Sequence, residues 1–271
     1  MLQNLHTHST FCDGKNTPEE IVLLAIDRGF DSLGFSAHAP SSFNISCELR
    51  DPEGYINEIR RLKEKYLGKI DIFLGAELDY FSADFARKYD FDYTLGGVHC
   101  ALTRDGEFVE FDHSIAHTEE YIAGPCHGDG TYYAKLYFET MADMPNKIKA
   151  DVVSHFDLLT KFSEKRPDLF DVTSKQYKSM ALEALHAVRE KMELFELNTG
   201  AVARGHRTTP YPAPFILREM RELDCKLIIS SDCHNKDFLD CWFSEAKEYI
   251  KAQGFDTVYY LTPSGFIGEK I

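Results

Sequence analysis

No run of five or more lysines and arginines interrupts these 271 residues, and acidic side chains outnumber basic ones 44 to 30, for a formal charge of −14. Such a balance repels a nucleic-acid backbone, which disfavours nonspecific DNA or RNA binding. Long apolar tracts are missing as well, and the first residues lead into a strand rather than a basic leader with an apolar core. A membrane span and a secretory signal are thereby disfavoured, and a cytoplasmic protein is expected. The seven cysteines are odd in number and scattered, with no C-x-x-C pair. That argues against a disulfide framework and for reduced thiols, with Cys12, Cys100 and Cys233 lying beside candidate metal ligands. Low-complexity segments are absent, and 44% hydrophobic with 27% charged residues is a globular balance. The length suits one large α/β barrel over residues 1–271.

What is present is a recurring unit: a short strand, a chemically active residue at its end, then a helix. His6 and His8 share one face of the first strand by its period of two, and Asp13 follows a turn and adds a hard oxygen ligand. Thr17-Pro18-Glu19-Glu20 reads as a capping box opening a helix to about Arg28. The strand Asp31–Phe35 leads to His38, the helix Pro52–Tyr66 ends before Gly68, and the strand from Asp71 ends in Glu77. Phe91–Val98 is followed by His99, Asp151–Ser154 by His155, and the strand from Lys226 runs into Asp232 and His234. Residues 103–130 read as an irregular, hairpin-like excursion and lid, in which His113, His117 and His127 are loop or surface histidines. Helices are expected at Thr131–Met144, Val172–Lys191, Phe215–Leu223 and Cys241–Gln253, with strands at Leu194–Asn198 and Thr257–Leu261. The Gly- and Pro-rich loop 199–214 takes its shape from turns. Donors at the ends of successive strands converge on one face of a parallel barrel, where active sites are built.

Taken together, His6-Thr7-His8, Ala37-His38, Gly75-Ala76-Glu77, Gly96-Gly97-Val98-His99, Ser154-His155-Phe156-Asp157, Glu196-Leu197-Asn198-Thr199 and Ser231-Asp232-Cys233-His234 carry a resemblance over nearly the whole chain. The sequence resembles the polymerase and histidinol phosphatase (PHP) family, in particular its monofunctional phosphatases. The resemblance implies a distorted (β/α)7 TIM-like barrel with a centre of three divalent metal ions (Zn, Mn or Fe) at the C-terminal ends of the strands. It assigns His6, His8, Glu77 and Asp232 to one metal, Asp13, His38 and His234 to a second, and Glu77, His99 and His155 to a third. Glu77 would bridge, and Glu77 and Asp232 would be the catalytic carboxylates. Some members of the family carry His where Asp13 stands, and a carboxylate there favours harder ions.

The implied reaction is hydrolysis of L-histidinol phosphate to L-histidinol and phosphate, in histidine biosynthesis, by a hydroxide activated between two metals. Arg204, Arg207 and Lys161 are candidate phosphate clamps, since cationic donors match phosphoryl oxygens. His206 is a candidate proton donor to the leaving group, with Asp157 as an alternative. Glu110 and Asp112 are candidates for selecting the substrate ammonium. Two rival readings stand beside this one: a phosphoesterase of the same kind acting on a nucleotide or other small ester, and a metal-binding regulatory protein without turnover.

Overall fold

Local chemistry sets the first crossover. Thr17 accepts the amide N–H of Glu20 while the Glu20 carboxylate accepts the amide N–H of Thr17, and Pro18 occupies the first helical position. This capping box leads from β1 (Gln3–Asn4) into α1 (Pro18–Asp27), and the chain returns as β2 (Ser32–His38). The computed structural model describes residues 1–41, 43 and 47–271. The same alternation continues through α2 (Pro52–Lys65), β3 (Asp71–Asp79), α3 (Ala83–Ala86) and β4 (Tyr93–Gly97). A hairpin of β5 (Cys100–Leu102) and β6 (Phe108–Glu110) then leads to α4 (Ile115–Ala123) and the long α5 (Gly130–Lys147). The remainder comprises β7 (Val152–Val153), α6 (Lys175–Arg189), β8 (Leu194–Asn198), α7 (Gly200–Ala203), α8 (Pro214–Glu222), β9 (Lys226–Ser230), α9 (Phe243–Ala252), β10 (Thr257–Thr262) and β11 (Gly265–Lys270).

Seven strands form one sheet in the order β1-β2-β3-β4-β7-β8-β9, and every neighbouring pair is parallel. The sheet curls until its two edges meet just beyond β1 and β9. There Thr7 and Cys233 form a parallel bridge, with His8 N–H donating to Cys233 O (2.9 Å) and Cys233 N–H to His6 O (3.0 Å). The expected seven-stranded barrel is thus present. Alternation divides its side chains: Ile72, Leu74, Phe195, Leu197, Leu227 and Ile229 join the outer core with the helices. Phe73, Leu194 and Ile228 point inward and pack with Leu5, Tyr93, Leu95 and Val152. Gly34 and Gly75 make room for the inward Tyr93 side chain, since a Cβ on Gly34 would stand 2.3 Å from its hydroxyl oxygen and one on Gly75 2.4 Å from its ring. No helix among the described residues is long and apolar enough to cross a membrane.

The expected strand at Thr257–Leu261 is present as β10; it pairs antiparallel with β11, and Leu261 exchanges two 2.8 Å hydrogen bonds with the Gln3 side chain, so the hairpin covers the N-terminal end of the barrel. Two expectations need correction. Residues 103–130 are more regular than expected, because Ser114 caps α4 by accepting the His117 N–H, and Thr118 and Ile122 give that helix a buried face. The loop 199–214 begins with a helical turn, α7, before its turns take over.

Candidate metal centre

Strand ends deliver nine donor side chains to the C-terminal face of the barrel. Glu77 and its β3 neighbour Asp79 share a strand face with the inward Phe73, which sends the Glu77 carboxylate into the barrel mouth. Around it, Oε1 lies 2.7 Å from His155 Nε2 and 3.2 Å from His99 Nε2. Its Oε2 lies 3.0 Å from His38 Nδ1, 3.2 Å from His6 Nε2 and 3.4 Å from His8 Nε2. Asp232 Oδ1 is 3.5 Å from His6 Nε2 and 3.3 Å from His8 Nε2, and Asp13 Oδ2 is 3.1 Å from His234 Nε2. All nine residues singled out from the sequence therefore meet in one place.

Their donor atoms fall into four overlapping groups among the described residues. His8, Asp13, His38 and His234 form one group with donor atoms within 4.8 Å of one another; the others are His6-His8-Asp232, His6-Glu77-His155 and His38-Glu77-His99. His8 thus joins the Asp13 group as well as His6 and Asp232.

Electrostatics fit a cation site. Burial opposes ionisation of Glu77, yet His6, His38 and His99 and the hydrogen bond from His155 hold it well below the usual carboxylate range. Burial likewise opposes a charge on Asp232, and Arg204, His6 and His234 overcome it. Burial, with His234 and His38 beside it, takes His8 down to about 3, which leaves a neutral imidazole with a free lone pair. His6 Nε2, His8 Nε2 and Glu77 Oε2 are buried without a hydrogen-bond partner. Orphaned lone pairs converging at such distances are costly unless a cation satisfies them, and the imidazole–carboxylate mixture suits a first-row divalent metal.

A cavity of about 270 Å³ opens onto the centre. Seven of the nine donors line it, while His6 and His8 are fully buried. Arg204 and Lys161 also line it, each engaged: Arg204 donates to Asp232 Oδ2 and to Asp232 O (both 2.9 Å), and Lys161 to Asp112 O (2.7 Å) and Oδ2 (3.1 Å). Burial disfavours the Asp112 carboxylate, but Lys161 and the neighbouring histidines bring it to about 2, whereas burial and Asp112 together push Glu110 up. Both acids border the cavity, and so does His113, read from the sequence as a surface histidine.

Among the described residues, the cavity lining does not include His206, Arg207 or Asp157. Arg207 is buried in a different environment. It pairs with Asp157 at 3.7 Å, bonds Thr160 Oγ1 and stacks over the Tyr211 ring at 4.6 Å. His206 packs edge-on against Phe162, and burial with Lys161, Lys165 and Arg204 nearby lowers it to about 4. Glu196 is a residue that sequence reasoning missed as a participant. It accepts the Nδ1–H of His6 at 2.7 Å from the interior of the barrel.

The PHP domain model matches residues 4–200. A probable histidinol-phosphatase of Schizosaccharomyces pombe is 26% identical, the alignment covering 93% of this chain and 87% of that protein. The histidinol-phosphatase of Bacillus subtilis is 27% identical over 84% of this chain and 92% of its own. In fold, the chain is similar to a crystal structure of histidinol phosphate phosphatase from Lactococcus lactis subsp. lactis in complex with zinc, L-histidinol and phosphate, with a TM-score of 0.75, 20% identity and 98% of each chain covered. With the match to residues 4–200 spanning most of its length and most of the barrel that carries these donors, the chain belongs to the PHP domain family.

Proposed function

We propose that the protein is a metal-dependent phosphomonoesterase that hydrolyses L-histidinol phosphate. The observation that carries this reading is a convergence of nine nitrogen and oxygen donors, seven of which line one cavity together with two cationic and two further acidic side chains. The names of the relatives support the choice of ester. His6, His8, Asp13, His38, Glu77, His99, His155, Asp232 and His234 would hold up to three divalent ions of zinc, manganese or iron. Such ions would polarise phosphoryl oxygens and make a water nucleophile available at neutral pH.

The protein's own side chains do the rest. The planar fork of Arg204 and the ammonium of Lys161 draw the phosphate dianion into the cavity and remain beside its oxygens as charge redistributes in the transition state. Glu110, raised by its burial and by Asp112, stands 4.0 Å from His113 and gains a favourable charge partner when a substrate ammonium arrives. Asp112 already holds Lys161, so the two acids divide the work between orienting the clamp and selecting an amine. The reading makes the partner a small molecule rather than nucleic acid or membrane, and places the reaction in histidine biosynthesis in the cytoplasm.

A panel of phosphomonoesters and phosphodiesters, assayed with Mn²⁺, Fe²⁺ and Zn²⁺, tests it. The expected result is the highest kcat/KM on histidinol phosphate, lost on chelation and restored by metal. Preference for a nucleotide would replace the substrate, absence of turnover with every metal would leave a binding protein, and full activity after exhaustive demetallation would refute the metal chemistry.

A further inference from the structure

Two strands of the barrel, β1 and β7, have only two residues each, yet each leads into a donor of the centre. β7 meets β8 through a single register pair, Val153 with Phe195, and its ladder to β4 ends with Ser154 N–H donating to Gly96 O (2.9 Å), one residue short of His155. One buried side chain links both strands. Glu196, on β8 and 1% exposed, accepts the Nδ1–H of His6 at 2.7 Å, the backbone N–H of His155 at 2.8 Å, the Asn198 side-chain amide at 2.9 Å and the Ser230 hydroxyl. Its two oxygens thus receive donors from the ends of β1, β7 and β9 as well as from its own strand. Glu196 belongs to none of the donor clusters that could hold an ion.

We infer that Glu196 is a positioning residue for the metal centre, fixing the ring orientation and tautomer of His6 and the backbone position of His155 so that both Nε2 atoms face Glu77. An imidazole that donates from Nδ1 presents Nε2 as its lone-pair atom, and His6 Nε2 is the buried, unpartnered atom 3.2 Å from Glu77 Oε2. The backbone grip on His155 sets its Nε2 2.7 Å from Glu77 Oε1. Only an ionised carboxylate accepts all four bonds. A glutamine of the same shape offers one acceptor oxygen and turns N–H donors toward N–H donors. Burial opposes the charge on Glu196, and His6, His155 and Ser230 offset that opposition.

The inference rests on the metal reading above, and the experiment separates the two. Zinc binding to metal-free wild type, Glu196→Gln and Glu196→Asp is measured by chelator competition and elemental analysis, with circular dichroism to confirm folding. Glu196→Gln is expected to weaken at least one zinc site by about 10- to 100-fold, and Glu196→Asp to recover part of the loss because it restores the charge. Long-range ¹H–¹⁵N correlation spectra of zinc-loaded wild type should show His6 protonated at Nδ1, a readout that needs no variant and survives if Glu196→Gln fails to fold. Unchanged zinc affinity and stoichiometry in folded Glu196→Gln, or His6 protonated at Nε2, overturns the inference alone. Failure of the wild type to bind zinc overturns the metal reading and the inference with it.

Discussion

Arg204→Met separates two duties that the proposed function gives to one guanidinium, holding Asp232 and clamping phosphate. In the resting structure its fork is engaged: Nη2 bonds Asp232 Oδ2 at 2.9 Å, and Nη1 bonds Asp232 O at 2.9 Å and lies 3.2 Å from His234 Nδ1. Methionine keeps much of the volume and removes the charge. In metal-free protein the nearly buried Asp232 then loses its cation, a change that costs about 3–5 kcal/mol for a fully buried pair. The Arg204 side chain is 25% exposed and Asp232 8%, so about 2–3 kcal/mol is the better figure after solvent screening. For a chain of this size that corresponds to a fall in Tm of about 4–12 °C. With metal bound the Asp232 carboxylate has other cations, so the fall should shrink, while kcat/KM for histidinol phosphate drops by about 10² from loss of a charge-assisted phosphate contact of ~3 kcal/mol. Differential scanning fluorimetry with and without zinc, metal analysis and steady-state kinetics together read the outcome. An unchanged metal-free Tm with kcat/KM within about threefold of wild type would refute both duties. Loss of metal in step with activity would reduce Arg204 to a support for Asp232 and leave Lys161 as the phosphate clamp.

Glu77→Gln should lose or scramble metal before anything else, with activity falling as a consequence, since five imidazole nitrogens lie within 3.4 Å of that carboxylate; elemental analysis beside kinetics checks the order. Arg207→Met should destabilise by about 3–5 kcal/mol, because it leaves Asp157 buried without its cation, while kcat/KM of the folded fraction stays within about threefold of wild type; a large catalytic loss at unchanged stability would return Arg207 to the substrate site. His206 titrates at about 4 in the fold against ~6.5 unfolded. The unfolded chain therefore binds more protons between those values, and the contribution is complete above pH 6.5 and lost as pH falls through 4. For a partly exposed ring this amounts to about 1–2 kcal/mol; His206→Gln should flatten that part of the Tm–pH curve, and an unchanged curve would count against it.

The donors could be read from the sequence because all but Asp13, which follows a turn, sit at or just beyond the end of a strand whose period and flanking turns are local signals. His6, Glu77, His99 and Asp232 needed no knowledge of which strand neighbours which, only that parallel strands end on one face. Glu196 stands in the motif Glu196-Leu197-Asn198-Thr199, but its role was not legible there, because the partners that explain it lie 41 and 190 residues away. Arg204 and Arg207 look alike in sequence. The turn through Gly205, at φ +65°, follows α7 between them; one guanidinium ends on Asp232 and the other on Asp157. The α4 cap at Ser114 was legible in principle, but the glycines that follow pointed to a loop. β10 was legible as a strand, but neither its partner β11 nor its place as a cover was, since that place depends on Gln3 at the far end of the chain.

The seam of the barrel orders its assembly. His6 and His8 stand on one side of the closing bridge and Asp232 and His234 on the other, and the bridge itself joins residues at opposite ends of the sequence. Closing so large a loop costs chain entropy that pairing of consecutive strands does not, and a ligand set shared across the seam exists only once it has closed. A nascent chain therefore exposes its first two histidines long before the last strand can complete their partners, and a product truncated ahead of β9 keeps seven of the nine donors but lacks Asp232 and His234. An ion that spans the seam acts as a latch, so its binding free energy appears as resistance to opening at that edge. Hydrogen exchange at the amides of His8 and Cys233 would report the latch directly, slowing on zinc addition more than amides deep in the β2–β3 ladder.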